Sequence, residues 1–261
     1  MSQSAWKPFP HPSKEYTYAG AALKKNWGRL HLGDKESFPE NKTVQEAWRR
    51  YHAGDFEGAV EMSLSAGVEG YNAANKAAAI YAHYLEADEA AKLKLYETII
   101  QRAEEAIAAD PKNINAHYQR AHAMGRYSQR ISIAQALSLG FGGKIKESLN
   151  TTLKLTPDHV EAHIAFGAFH AEIINKVGAF LGGATYGANK EAGIEHYKTA
   201  ITLNPESAIA KIEYANGLLM LYGNKKTEEA TQLYVEASEC RPMDAMERLD
   251  VELAKSQLED E

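Results

Sequence analysis

A single cysteine, Cys240, is the only thiol in the 261-residue chain. No disulfide can form within it, which fits a reducing compartment. Cys240 has Glu239 beside it and Arg241 as the one adjacent cation. It reads as a small, partly buried residue near a helix end rather than an activated nucleophile. No stretch approaches the roughly eighteen consecutive apolar residues of a spanning helix. The opening segment, through Tyr16, lacks the apolar core of a secretory leader. The expected location is therefore cytoplasmic. Lysines and arginines form no block, and the formal charge is −6. Neither nucleic acid nor an anionic membrane surface is expected as the main partner. Gly-x-Ser-x-Gly is missing, as is any recognisable set of nucleophile, base and acid. No catalysis and no cofactor are expected.

What is present is a recurring helix end. Four segments close on proline: Ala106–Pro111, Thr152–Pro157, Ala200–Pro205 and Ala237–Pro242. Proline cannot continue a helix and pushes its predecessor out of helical geometry, so each marks a turn. The prolines are 46, 48 and 37 residues apart, the regular return that marks a solenoid. Before them, small and aromatic residues alternate at helical spacing: Ala230, Tyr234, Ala237 in one unit and Gly193, Tyr197, Ala200 in another. Small residues let helices approach, and the aromatic fills the space between. After them come Ala116-His117 and Ala162-His163 at equal offsets. An earlier unit carries Ala47-Trp48, then Gly54-Asp55-Phe56, then Ala59.

The spacing of small residue, aromatic, small residue and proline resembles the tetratricopeptide repeat (TPR), a unit of about 34 residues. The resemblance covers roughly Thr43 to Pro242. Two units are long, with the extra residues near Ser128–Gly143 and Lys176–Ala188. Such inserts are similar to those of divergent TPR-like proteins, including the soluble partner subunit of some bacterial TRAP-type transporters and the regulators of microtubule dynamics. The chain also looks like an uncharacterised bacterial TPR family. The resemblance implies an all-α fold, an α-solenoid of antiparallel helix pairs wound as a TPR-like superhelix, with roughly four pairs. Residues 1–41 are expected to form an N-terminal extension with a helix over Tyr18–Leu32, residues 42–242 the repeats, and residues 243–261 a C-terminal capping helix. That last helix would carry Met246, Leu249 and Leu253 on one face, with Asp244 as its cap.

Four features have chemical potential. Gly140-Phe141-Gly142-Gly143-Lys144 precedes a helix and could hold an anion on its amides. Ser138 and Ile145 break the Walker pattern, and no strand precedes it, so a tight turn is the preferred reading. His159 and His163, at i and i+4, have metal-ligand spacing, but His159 lies in a first helical turn where solvation suffices. Arg120, Arg126, Tyr127, Gln129 and Arg130 form a surface able to grip a carboxylate. The apolar insert Gly178–Gly187 can either wall a pocket or pack between repeats. In TPR arrays the first helix of each pair lines the concave groove. The expected groove residues are Gln119, Ala123, Arg126, Tyr127, Arg130, Phe169 and Glu172, with Ala165 beside them. Phe141, Phe180, Leu181 and Tyr186 are the expected pocket lining. No resident metal is expected.

The expected function is a non-catalytic scaffold that binds a protein or peptide partner on a concave surface. The alternatives are a small-molecule or lipid-binding protein with the glycine-rich inserts closing a pocket, and a metal-dependent enzyme centred on His159 and His163.

Overall fold

The computed structural model describes residues 6–259, so the first five residues of the expected extension and the last two of the expected cap lie outside the described residues. Among the described residues there is no strand, and the fold is all-α, an α-solenoid of helix pairs. Two compact units divide the chain. One comprises the residues up to His31, Lys35–Ile131 and Met243–Met246; the other comprises Leu32–Asp34, Ser132–Pro242 and the residues from Glu247 on.

In the first unit, α1 (Ala22–Leu30) buries Leu23, Trp27 and Leu30, one stripe at helical spacing. It is shorter than the expected Tyr18–Leu32. Tyr18 and Gly20 stand at φ +42° and +58°, which a helix cannot accommodate. Next come α2 (Lys42–Ala53) and α3 (Phe56–Ser65). Gly54 at φ +89° ends α2, and Asp55 starts α3 by accepting the Gly58 amide at 3.1 Å. The Gly54-Asp55-Phe56 segment is thus a left-handed stop followed by a cap. A 3-10 turn, Gly67–Gly70, leads into α4 (Tyr71–Tyr84), which packs on α3 and α5 (Glu89–Ala109). Helix α6 (Ile114–Ser128) lies on α5 and α4. No proline precedes α4, so the proline spacing marks the end of α5 at Pro111 but not the start of α4.

The second unit holds α7 (Ile133–Ser138), α8 (Phe141–Leu155), α9 (Val160–Val177), α10 (Ala179–Tyr186), α11 (Lys190–Leu203), α12 (Ala208–Tyr222), α13 (Thr227–Ser238) and most of α14 (Ala245–Glu259). Helices α9 and α11 pair, as do α12 and α13. The two inserts are α7 and α10, and both pack on α8, where Lys146 Nζ donates to the Tyr186 carbonyl at 2.7 Å. Tyr197, expected to fill space between repeats, stacks on Tyr214 at 5.5 Å between ring centres and is almost wholly buried.

A device repeats at the junctions after Pro111, Pro157 and Pro205. The residue two places after proline caps the next helix: Asn113 accepts from Ala116 N at 3.0 Å, His159 from Ala162 N at 3.0 Å and Ser207 from Ala210 N at 3.2 Å. Each cap is worth about 1 kcal/mol. Asp244 holds the same offset from Pro242. Its carboxylate reaches buried His52, with Oδ2 2.7 Å from Nδ1.

Candidate functional site

The groove residues named from sequence divide between the units. In the first, α4 and α6 each present a ladder of polar side chains. Asn72, Lys76 and His83 are spaced to share one face of α4; Asn115, Gln119, His122 and Arg126 share one face of α6. The ladders join where Gln119 Nε2 donates to the Asn72 carbonyl at 2.9 Å. At one end, Glu36 Oε2 accepts from Asn72 Nδ2 at 2.9 Å and Asn115 Nδ2 at 2.7 Å. That end opens into a cavity of about 410 Å³ lined by Glu36, Asn41, Asn72, Asp110, Asn113 and Asn115, among others. Two acceptors on these ladders, Asn72 Oδ1 and Gln119 Oε1, are buried without a hydrogen-bond partner, and Asn72 also lines the cavity.

The other end of the ladders is cationic. Burial, then the charges of Arg126, His122, Arg130 and Lys92, hold His83 well below the ordinary histidine range. Burial, then Arg126 and Lys76, push His122 down to about 3. Both rings are therefore neutral at pH 7. The Arg130 guanidinium lies 5.5 Å over the Tyr96 ring and 3.2 Å from Glu89, which also meets Lys92 at 2.7 Å.

Of the residues expected in the groove, Gln119 and Arg126 stand on the α6 ladder. Arg130 follows it and donates Nη1 to the Arg126 carbonyl at 2.8 Å. Ala123 is turned off that face into the core with Tyr96 and Ile99. The Tyr127 hydroxyl meets Glu97 at 3.2 Å, and Arg120 pairs outward with Glu104 at 3.2 Å. In the second unit, Phe169 is buried edge-on to Phe166, and Glu172 pairs with Lys176 at 3.3 Å. Sequence reasoning missed Asn72, Lys76 and His83 because it did not resolve α4 as a repeat helix. Their four-residue spacing within an alanine-rich run was the available signal.

The residues expected to line a pocket behave unalike. Phe141 is buried, and Tyr186 lies so close to Gly142 that a Cβ there would sit 2.6 Å from its ring. Phe180 and Leu181 are 86% and 58% exposed. The glycine cluster forms a turn and the first turn of α8, with Gly140 at φ +66°. Cys240 is buried, which pushes its thiol pKa up, and it donates to the Glu236 carbonyl at 3.3 Å.

The histidine pair has structural duties. His159 is not solvated in its first turn, as expected, but fully buried as a cap, because Nδ1 takes an otherwise orphaned amide. His163 Nε2 lies 2.9 Å from the Pro157 carbonyl, and His117 Nε2 lies 3.0 Å from the Pro111 carbonyl. A carbonyl only accepts, so Nε2 carries the proton in both rings. His163 Nδ1 then accepts from His196 Nδ1 at 2.9 Å. Among the described residues, no group of three or more His, Cys, Asp or Glu is placed to hold a metal ion, and no helix is long and apolar enough to cross a membrane.

The fold is similar to that of TTC0263, a thermophilic TPR protein of Thermus thermophilus. The identity is 16%, the TM-score 0.57, and the match covers 84% of this chain and 100% of that one. MamA gives a fainter likeness, 15% identical with a TM-score of 0.41 over 81% of this chain and 96% of its own. At such identities the likeness speaks for fold alone. TPR-like folds generally serve as protein-interaction scaffolds rather than catalysts. No curated protein sequence matches the chain significantly. The profile of the family described as Regulator of microtubule dynamics protein 1-3 matches residues 65–260, and the chain belongs to that family.

Proposed function

We propose that the chain is a binding scaffold, and that the polar face shared by α4 and α6 holds a segment of a protein or peptide partner. The observation that carries this reading is the pair of buried, unpartnered acceptors on the α4 and α6 ladders, Asn72 Oδ1 and Gln119 Oε1, the first of them on a residue that lines an open cavity. A buried acceptor left unmatched costs about 1–3 kcal/mol. The backbone N–H groups of an extended peptide would relieve that cost at both positions. The expected groove residues Gln119, Arg126 and Arg130 belong to this surface. Ala123 supports it from the core, and Tyr127 flanks it. Glu172 would serve a separate surface on α9, with Phe169 supporting it from the core.

The test is affinity capture with the full chain, followed by measured binding of each purified partner. Asn72→Leu and Gln119→Leu remove the acceptors. The reading requires each to weaken binding at least roughly tenfold while circular dichroism stays unchanged. Partners that bind both variants as well as wild type would refute it.

A further inference from the structure

The cavity at the Glu36 end of the same face has a charge of its own. Four acids line it, Glu36, Glu40, Glu69 and Asp110, against two lysines, Lys35 and Lys112. Among the described residues, the carboxylates of Glu40, Glu69 and Asp110 pair with no lysine or arginine side chain. Glu69 instead accepts from Asn41 Nδ2 at 2.9 Å, and Asp110 from the Lys112 backbone N–H at 2.9 Å. Deeper in, the partly buried Glu36 is held by the amides of Asn72 and Asn115. Asn72 Oδ1, on the same wall, is closed off from solvent and accepts no hydrogen bond. The Asn72 amide cannot turn over to relieve this, because its Nδ2 already donates to Glu36 and to Asn113 Oδ1 at 3.1 Å. The wall has acceptors and negative charge to spare, so its ligand has to bring donors and positive charge. The formal charge of −6 on the whole chain adds a field that draws cations toward such a concavity.

We propose that this cavity is a subsite for a lysine or arginine side chain of the bound segment. This rests on the scaffold reading and names the chemistry of its partner. Either cation carries several N–H donors at the end of an apolar stem, so its head can enter the cavity while its backbone stays on the α4/α6 face. The volume of about 410 Å³ is in the range of small-ligand sites. Glu40, Glu69 and Asp110, all exposed at the rim, steer the cation in. Asn72 Oδ1 and the Glu36 carboxylate meet its N–H groups inside. Lys112, on the same wall, opposes the cation and sets a limit on its affinity.

The experiment is an NMR titration of the full chain, labelled with nitrogen-15, with three capped tripeptides. Their central residues are arginine, lysine and the uncharged arginine analogue citrulline. The expected result is a saturable movement of the Asn72 and Asn115 side-chain amide signals with the two basic peptides, weakened by added sodium chloride, and none with citrulline. Glu40→Gln, Glu69→Gln and Asp110→Asn keep an acceptor and remove a charge. Each should weaken binding roughly two- to fivefold, and all three together at least roughly tenfold. Lys112→Gln should strengthen it roughly two- to fivefold, a gain that misfolding cannot produce. Signals that stay still with both basic peptides, move equally with citrulline, or respond alike in wild type and the triple variant would overturn the subsite. The scaffold reading would survive that result if Asn72→Leu and Gln119→Leu still weakened partner binding.

Discussion

A methyl group built on Gly217 would lie 2.4 Å from Cε2 of the Tyr197 ring. On the ring's other edge, a Cβ on Gly167 would lie 2.7 Å from Cε1. Tyr197 of α11 therefore reaches α9 and α12 through notches that only glycine leaves open. Alanine at either site gains up to about 1 kcal/mol in helix propensity but overpacks the contact by about 1–3 kcal/mol. Gly217→Ala should destabilise the chain by about 1–2 kcal/mol. Urea unfolding followed by circular dichroism checks this, and an unchanged midpoint would mean that the ring moves aside without cost.

Asp244 and His52 make a buried hydrogen-bonded contact at 2.7 Å, and His52 Nε2 lies 3.2 Å from His31 Nε2. The carboxylate accepts the Nδ1 proton of His52. In neutral His52, Nε2 is then bare and accepts from His31. Asp244→Ala removes the acceptor and leaves two buried imidazoles badly matched. The expected loss is about 1–3 kcal/mol, the cost of leaving a buried polar group unmatched. Asp244→Asn, which still accepts through its carbonyl oxygen, should lose less. Equal stability of the two variants would show that the hydrogen bond contributes nothing beyond packing.

Acidification should destabilise the chain well before its carboxylates titrate. His170 and His196 are each held down to about 4, chiefly by burial, and His122 to about 3 for the same reason. Their ordinary value is 6.5. Below it, the unfolded chain binds protons that the folded chain refuses. Stability is therefore full above pH 6.5 and falls as the pH drops toward the folded values. The slope is at most about 1.4 kcal/mol per pH unit for each ring, and less for His196 because it is partly exposed. Calorimetry across this window should give a falling Tm, with a shallower fall in His196→Gln. A flat Tm would show that these rings accept protons while folded.

The exposed tip of α10 makes a contrasting case. With Phe180 86% and Leu181 58% exposed, Phe180→Ser and Leu181→Ser should each change stability by less than about 0.5 kcal/mol. Binding of a hydrophobic dye should decrease in both. A large destabilisation would show that these side chains cover apolar surface.

Much of the architecture is determined locally, and the sequence alone determined it. Pro111, Pro157 and Pro205 break helices wherever they stand, because the pyrrolidine ring lacks an N–H and clashes with the preceding turn. The residue two places on then caps the next helix with its own side chain. Gly54-Asp55 ends one helix and starts another through backbone freedom and a carboxylate, both local properties. The burial of Tyr197, Tyr234 and the alanines around them follows from their period along a helix. Tertiary structure decided what those helices present to one another. His159 had metal-ligand spacing, and only the fold shows its Nδ1 spent on an amide and its ring buried. Ala123 had groove spacing, yet a step of one residue rotates a side chain by about 100° around the helix, enough to turn it into the core. The α4 ladder, with no proline to announce it, gains meaning only when Gln119 reaches the Asn72 carbonyl from α6. Local rules fix where helices begin and end. Which polar faces meet, and which atoms are left without partners, depends on contacts between residues distant in the chain.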